Sequence, residues 1–394
     1  MRTRTALALS ALTSLALLGG PALVAPADAR SSDVEVPVVA GKAFTVTGNG
    51  FGHGRGLSQY GANTRAEKNQ TVGQILAFYY PGTVRAKLAV PLKVWITADD
   101  DHSTQVRPAP GLTVTDLGTG RTFALPTQAK QAKAWRLSIV KGQTRVSYLR
   151  PGKWLEYRPG GRIALKGAGE FRAKGNQLTL VYGGATHRYR GKMRLVEGRT
   201  VNVVSLEAYL RGVVPAEMPA LWQSRALQAQ AVAARTYAAY ERAANLSRSF
   251  HVYDTTQSQV YGGIGAEYPT SDAAVAATAG WILTSGGKPA FTQFTASNGG
   301  WSVDGKPSYL QPRQDAFDTA YRGWTKMVTA AAIQKAYPGI GTLTSIQVTA
   351  RDGRGQWGGR VVTMVLHGSV KNATISGDDF RSVFGLRSTY FTVS

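Results

Sequence analysis

Between residues 91 and 200 the chain keeps no helical period. It offers a series of short runs rich in β-branched and aromatic residues instead: Leu92–Thr97, Trp135–Val140, Thr144–Leu149, Gln177–Tyr182 and Met193–Val196. Gly, Pro, Asp or Asn punctuate these runs, which is the pattern of strands joined by turns. Over a hundred residues that pattern excludes a helical bundle and predicts a β-sheet or small barrel-like module. The next region reads differently. From Trp222 to Ala244, Leu227, Ala231, Ala234 and Ala238 recur at helical spacing and mark the buried stripe of one long helix. A shorter helix is expected over Ser271–Ala279, with Ser271 as its cap and Gly280 at its end. Trp281–Thr284 and Ala290–Thr295 around Ser285-Gly286-Gly287-Lys288 read as a hairpin. Upstream, a strand is expected over Ala43–Thr47, and a helix after Gln70-Thr71 that ends at Pro81-Gly82. The fold class is therefore α+β, a mixed core carrying a β-rich module. Four regions follow: 1–29, 30–90, 91–200 and 201–394.

The first region reads as an export leader. Arg2 and Arg4 precede an apolar stretch from Ala6 to Leu18, and Ala27-Asp28-Ala29 fits a small-x-small cleavage site. The apolar run is shorter than the ~20 residues a spanning helix needs. A secreted, wall-associated protein is the expectation. The chain has no cysteine, which removes disulfides, thiolate metal sites and a cysteine nucleophile. Its formal charge of +23 favours polyanionic partners. The basic residues are spread out with no dense run, so nucleic acid is not the expected partner. Anionic wall polymers fit an exported protein better.

Three stretches carry possible chemistry. Six of residues 48–62 are glycine, in Gly48-Asn49-Gly50-Phe51-Gly52-His53-Gly54-Arg55-Gly56-Leu57-Ser58-Gln59-Tyr60-Gly61-Ala62. Such a loop allows tight turns or close approach of backbone to a ligand. It lacks the spacing of a dinucleotide fingerprint and the Lys-Ser/Thr of a phosphate loop. It suits a structural turn as well as a site. In the second stretch, Glu217 stands among Val214, Pro215, Met218 and Pro219, read as just ahead of the long helix. Apolar surroundings raise a carboxyl pKa, while the start of a helix lowers it. An acid tuned toward neutrality can donate and then accept a proton. A bridge to Arg211 or Arg235, or a cap at the helix start, suits the same residue. The third stretch, Thr295-Ala296-Ser297-Asn298-Gly299-Gly300, reads as a sugar-binding wall or as an ordinary loop. The five histidines are scattered with no metal-ligand spacing, so no metal or other cofactor is expected.

Taken together, these strings resemble one family. Val201 to Ala220, followed by Ala226 to Tyr237, is similar to the core of stage II sporulation protein D (SpoIID) and the amidase enhancer LytB. The loops Gly52–Ala62 and Ser297–Gly300, and the ending Gly385-Leu386-Arg387-Ser388-Thr389, are similar to other signatures of that family. The resemblance implies a lytic transglycosylase acting on peptidoglycan glycan strands, with Glu217 at the position of the catalytic glutamate. Its LytB side implies instead a wall-binding protein that enhances a cell-wall amidase. His53, Ser58, Gln59, Arg235 and Asn298 are the expected substrate-binding residues. Two departures stand out. The Gly-His-Gly loop comes first here, whereas in many members it comes late, so the chain reads as circularly permuted. Residues 43–62 should then pack beside residues 385–394. Some members also carry cysteines near the stretch matching Asp254–Tyr261 and bind zinc there. Ser258 and the lack of any cysteine set this chain apart.

Overall fold

A computed structural model describes residues 34–39, 42–126 and 132–394. The leader read at residues 1–29 lies outside the described residues. The fold is mixed α+β, as the sequence pattern predicts.

The β-rich stretch forms two open sheets rather than a closed barrel, antiparallel throughout except where Val252–Tyr253 adds to Pro91–Trp95 in parallel. One has six strands in the order Lys153–Tyr157, Gln143–Arg150, Ala134–Val140, Ser103–Val106, Gln177–Tyr182 and Ala185–Arg190. The other has seven, in the order Val252–Tyr253, Pro91–Trp95, Arg199–Ser205, Lys192–Val196, Gly169–Arg172, Thr113–Asp116 and Arg121–Ala124. Alternate residues face inward, as the pleat requires. Leu137, Val146, Leu178 and Leu180 of the first sheet share one core with Val114, Phe171, Met193 and Leu195 of the second. A buried hydroxyl pair, Thr104 and Thr200, ties the sheets at 2.7 Å. All five runs read from the sequence are strands.

The seven-stranded sheet leads straight into the helices. Strand Arg199–Ser205 spans the boundary placed at residue 200. The helices are α1 (Gln59–Glu67), α2 (Val72–Tyr79), α3 (Leu206–Glu217), α4 (Ser224–Ala244), α5 (Pro269–Ala277), α6 (Ala330–Ala336) and α7 (Gly377–Val383). Helix α4 is the hub. Its expected stripe is fully buried, and so are Ala226, Ala229, Val232, Ala233 and Ala239. Small side chains on nearly every side let α1, α2, α3 and α5 approach it. Helix α2 begins with a capping box, in which Thr71 Oγ1 and Gln74 Oε1 accept each other's backbone N–H.

Three local expectations change. Helix α5 starts at Pro269, whose fixed φ and missing N–H suit the first helical position; Ser271 lies inside the helix and donates to the Tyr268 carbonyl. The hairpin after Trp281 is real but short, pairing Trp281–Ser285 with Lys288–Pro289. The expected return strand breaks there, and Phe294–Thr295 pairs in parallel with Leu57–Ser58 instead. Helices α1 and α3 were not read from the sequence. Polar residues and Gly61 mask the first, and Pro215 masks the second.

A second core is built by the two ends of the chain. Strand Phe44–Gly48 lies between Trp324–Val328 and Phe391–Val393. Val46 faces Val393, and Gly48 faces Phe391. The Gly52 N–H donates to the Arg387 carbonyl at 2.8 Å, and the Asn49 N–H to the Tyr390 carbonyl at 2.8 Å. The close approach of residues 43–62 and 385–394 that a permuted order requires is present. Beside it, Val34–Pro37, Leu343–Arg351, Val361–Gly368 and Ala373–Ser376 form a four-stranded sheet.

Candidate active site

Leu206, Tyr209, Leu210, Val213 and Val214 form the buried stripe of α3, spaced as a helical face demands. Glu217 is the next position on that stripe, so the helix carries a carboxylate where its apolar face ends. Gly212 lets α3 lie against the following loop, since a Cβ there would meet the Gly263 carbonyl oxygen and the Tyr261 ring at 2.8 Å each. That approach brings the Val260 N–H to Glu217 Oε1 at 2.8 Å. The loop itself is pinned. Asp254 accepts from the Thr97 N–H and hydroxyl, Gln259 bridges Tyr209 and the Ala234 carbonyl, and the Tyr261 hydroxyl donates to Asn202.

Among the described residues Glu217 forms no salt bridge. Arg211 reaches Asp272 instead, and Arg235 pairs with Glu207. Burial pushes the Glu217 pKa up, against the single N–H of Val260. The sequence reading placed Glu217 at a helix start, where the dipole favours the anion. The structure places it at the C-terminal end of α3, where the dipole opposes the anion and adds to the upward push.

The carboxylate opens into a cleft of about 270 Å³ lined by His53, Tyr237, Thr256, Gln257, Ser258, Gln293 and Phe294. Glu217 is the one carboxylate in that lining. His53 sits on the glycine-rich loop and its Nδ1 accepts from the Arg55 N–H at 3.0 Å. Burial, followed by the charges of Arg55, Arg360 and Arg381, lowers its pKa to about 4. It is a neutral imidazole at pH 7, and with Nδ1 accepting, its proton sits on Nε2. Tyr237 lies on α4; burial first and then the Glu241 carboxylate raise its pKa.

Of the expected substrate-binding residues, the structure brings only His53 together with Glu217. Ser58 is fully buried; it caps α1 by accepting from the Gly61 N–H and donates to Asp318 at 2.7 Å. Gln59 is buried as the first residue of α1. Asn298 is fully buried and is held by Asp315 at 3.0 Å and by the Gly300 N–H at 2.9 Å. Arg235 is fully buried among Glu207 and the carbonyls of Ala231, Val275 and Trp281. These four are buried in the fold and do not line the cleft. Tyr237, Val260 and the 256–258 loop were missed as site residues. Two signals pointed to the loop: the cluster of Thr, Gln and Ser at 255–259, which has no helical or strand period, and the family resemblance over Asp254–Tyr261.

The glycine loop must pass very close to the cleft wall. At Gly56 φ is +64°, and a Cβ would sit 1.9 Å from the Gln293 carbonyl oxygen. Gly82 has φ +74° with nothing within 4 Å. Gly82→Ala should therefore cost only the left-handed strain of about 1–2 kcal/mol. Gly56→Ala should cost clearly more and should displace Gln293. Thermal unfolding of the two variants checks this; equal midpoints would contradict it.

The raised Glu217 pKa has a consequence for stability. The folded state holds the proton more tightly than the unfolded chain does. Glu217 therefore costs nothing well below the ordinary glutamate value of 4.5, and a penalty grows as pH rises from there through its folded pKa. Glu217→Gln should be more stable than wild type at neutral pH and no more stable at pH ~4. Denaturant midpoints at the two pH values measure this. An equal gain at both would mean that ionisation is not the cause.

Comparison with known proteins agrees with this region of the chain. Residues 196–285 match the family model of SpoIID, stage II sporulation protein. The match covers under a quarter of the chain. It runs from the last strands of the β-rich part through α3, α4 and α5, and contains Glu217, Tyr237 and the 256–258 loop. The stage II sporulation protein D of Bacillus subtilis is 31% identical over 217 residues, covering 49% of this chain and 61% of that protein. The amidase enhancer of the same organism is 38% identical over 122 residues, covering 29% of this chain and 16% of the enhancer. An uncharacterized protein of Brachyspira hyodysenteriae is 43% identical over 101 residues, covering 25% of this chain and 27% of that protein. The chain thus spans from about a sixth to about three-fifths of these relatives. His53 comes from outside the matched segment and completes its cleft.

Proposed function

We propose that this protein is exported and cuts peptidoglycan glycan strands as a lytic transglycosylase, using Glu217 as both acid and base. The observation that supports this is a lone carboxylate on the buried stripe of a helix, facing a polar cleft, with its pKa raised by burial and no cation to hold it ionised. Glycosidases that use water generally need two carboxylates. A reaction in which the sugar supplies its own nucleophile needs one. Protonated Glu217 gives its proton to the glycosidic oxygen as the bond from C1 of N-acetylmuramic acid to N-acetylglucosamine breaks. The 6-hydroxyl of the muramic acid then attacks C1, and Glu217 takes its proton. One C–O bond breaks, one forms, and the carboxyl is restored. The neutral His53 and the hydroxyls of Tyr237 and Ser258 supply uncharged polar contacts around a cationic transition state. The leader and the charge of +23 support retention at an anionic wall.

The amidase enhancer relative supports a second reading, in which the protein binds the wall and promotes an amidase without cutting glycan. Incubation with intact and with peptide-free strands, followed by mass spectrometry, separates the two. The first reading expects 1,6-anhydromuramic ends on at least one substrate, and their absence on both would defeat it.

A further inference from the structure

Four aromatic side chains from remote parts of the chain meet beside the cleft. Phe51 comes from the glycine-rich loop, Tyr60 from α1, Trp222 from the turn between α3 and α4, and Tyr321 from the segment before strand Trp324–Val328. They form a single file, with ring centroids 5.3 Å apart from Phe51 to Tyr321, 5.2 Å from Tyr321 to Tyr60 and 4.6 Å from Tyr60 to Trp222. Every step is edge-to-face, at 76°, 84° and 72°. In an edge-to-face pair the edge of one ring sits on the face of the other, so these contacts fix the rings and leave at most one face of a contacted ring open. The row is partly open to solvent: Phe51 is 42% exposed, and Tyr60, Trp222 and Tyr321 are half-buried. The guanidinium of Arg387 lies over Tyr321 at 4.8 Å, and the hydroxyls of Tyr60 and Tyr321 are 3.5 Å apart. A contiguous apolar strip with polar groups along it marks a contact surface.

Its position ties it to the cleft. Phe51 stands on the same loop as His53 and exchanges two backbone hydrogen bonds with Ser297, at 2.8 and 3.0 Å. Ser297 continues the segment whose Gln293 and Phe294 line the cleft. The Tyr60 N–H donates to the Ala296 carbonyl of that segment. At the other end, Trp222 follows Glu217 through one short turn, anchored where the Gln223 N–H donates to Asn63 at 3.0 Å. Both walls of the cleft run into the row.

We propose that this row is an extended glycan-binding track, which holds sugar rings outside the cleft that contains Glu217. The inference rests on the reading that the substrate is a glycan strand. A pyranose presents flat C–H faces that suit exposed aromatic faces, and its hydroxyls suit Arg387 and the two phenols. A file one ring wide fits a linear polymer better than a protein partner, whose stable interface needs about 800 Å² per side.

The test compares Trp222→Ala and Phe51→Ala with Glu217→Gln in retention of the full chain on peptide-free glycan strands of graded length. Each aromatic variant should weaken retention of long strands about fivefold to tenfold and leave short fragments unaffected. Retention is read with the aromatic changes made in the Glu217→Gln chain, which leaves the strands uncut. Trp222→Phe should recover most of the loss, which separates stacking from misfolding. Unchanged retention in both alanine variants overturns the proposal. So does loss of capture of a cell-wall amidase with strand retention intact, because the row would then be a protein-docking surface. If wild type makes no anhydro ends but the alanine variants still lose strands, the cleavage reading fails and the track stands. If ends form and retention does not change, the reverse holds.

Discussion

Glu217→Gln should lower the formation of 1,6-anhydromuramic ends by about 10³-fold or more. General acid–base catalysis contributes about 10²–10⁴-fold where a group transfers one proton. Here one carboxyl is assigned both transfers, giving the proton to the leaving oxygen and taking it from the 6-hydroxyl. Glutamine can do neither. The exchange is gentle in other respects, because the amide oxygen can still accept from the Val260 N–H, the bond that orients the side chain. The other hydrogen-bonding groups of the cleft, His53, Tyr237 and Ser258 among them, are untouched. The variant should fold, bind strands and leave them intact. Single-turnover assays at saturating glycan give the rate, and a loss of less than about tenfold would remove Glu217 from the role of acid.

Arg235 should behave in the opposite way, with a large effect on the fold. Its side chain is fully buried, and it grips both oxygens of Glu207 at 2.8 Å. It also donates to the carbonyls of Trp281 and Val275 at 3.2 Å each. Glu207 in turn accepts from the Gly280 N–H at 2.9 Å. This knot joins α3, α4, α5 and the strand after Gly280. Arg235→Leu strips a part-buried carboxylate of its cation and leaves carbonyls without donors. Breaking a buried pair in this way costs about 3–5 kcal/mol. Glu207 retains some contact with water, with 36% of its side chain exposed, so the lower end, about 3 kcal/mol, is expected. Arg235→Lys should recover only part of this, because an ammonium cannot form the two-pronged contact. Urea unfolding measures the loss. A variant of normal stability with weakened strand binding would return Arg235 to the substrate-contacting role that its sequence context suggested.

These two residues illustrate what the sequence conveyed. The period of α4, the strand runs of the β-rich part and the helix after Thr71 are local patterns, and each appears where the pattern placed it. Glu217 could be singled out because an acid among apolar residues is conspicuous. Its position in the fold could not. Pro215 and Pro219 suggested a break before the long helix, yet the residues from Leu206 to Glu217 make a helix of their own. Packing of its apolar stripe overrides the proline, and the dipole at Glu217 changes sign as a result. Ser58, Gln59, Asn298 and Arg235 are polar residues near conspicuous motifs, and polarity alone does not distinguish a ligand contact from an internal brace. Their partners lie beyond any local pattern: Ser58 and Asp318 are 260 residues apart, Arg235 and Glu207 28, and Asn298 and Asp315 17. Tyr237 and Val260 were hidden for a related reason. One is an aromatic on a buried helix, and the other contributes only its backbone N–H.

The account rests on a glycosidic cut that consumes no water. The most direct measurement is mass spectrometry of the muramic acid ends after digestion in water enriched in the heavy oxygen isotope. A transglycosylase that closes the ring with the sugar's own 6-hydroxyl predicts ends lacking the mass of one water and carrying no heavy oxygen. Ends that retain that water and carry the label would identify a hydrolase and contradict the account.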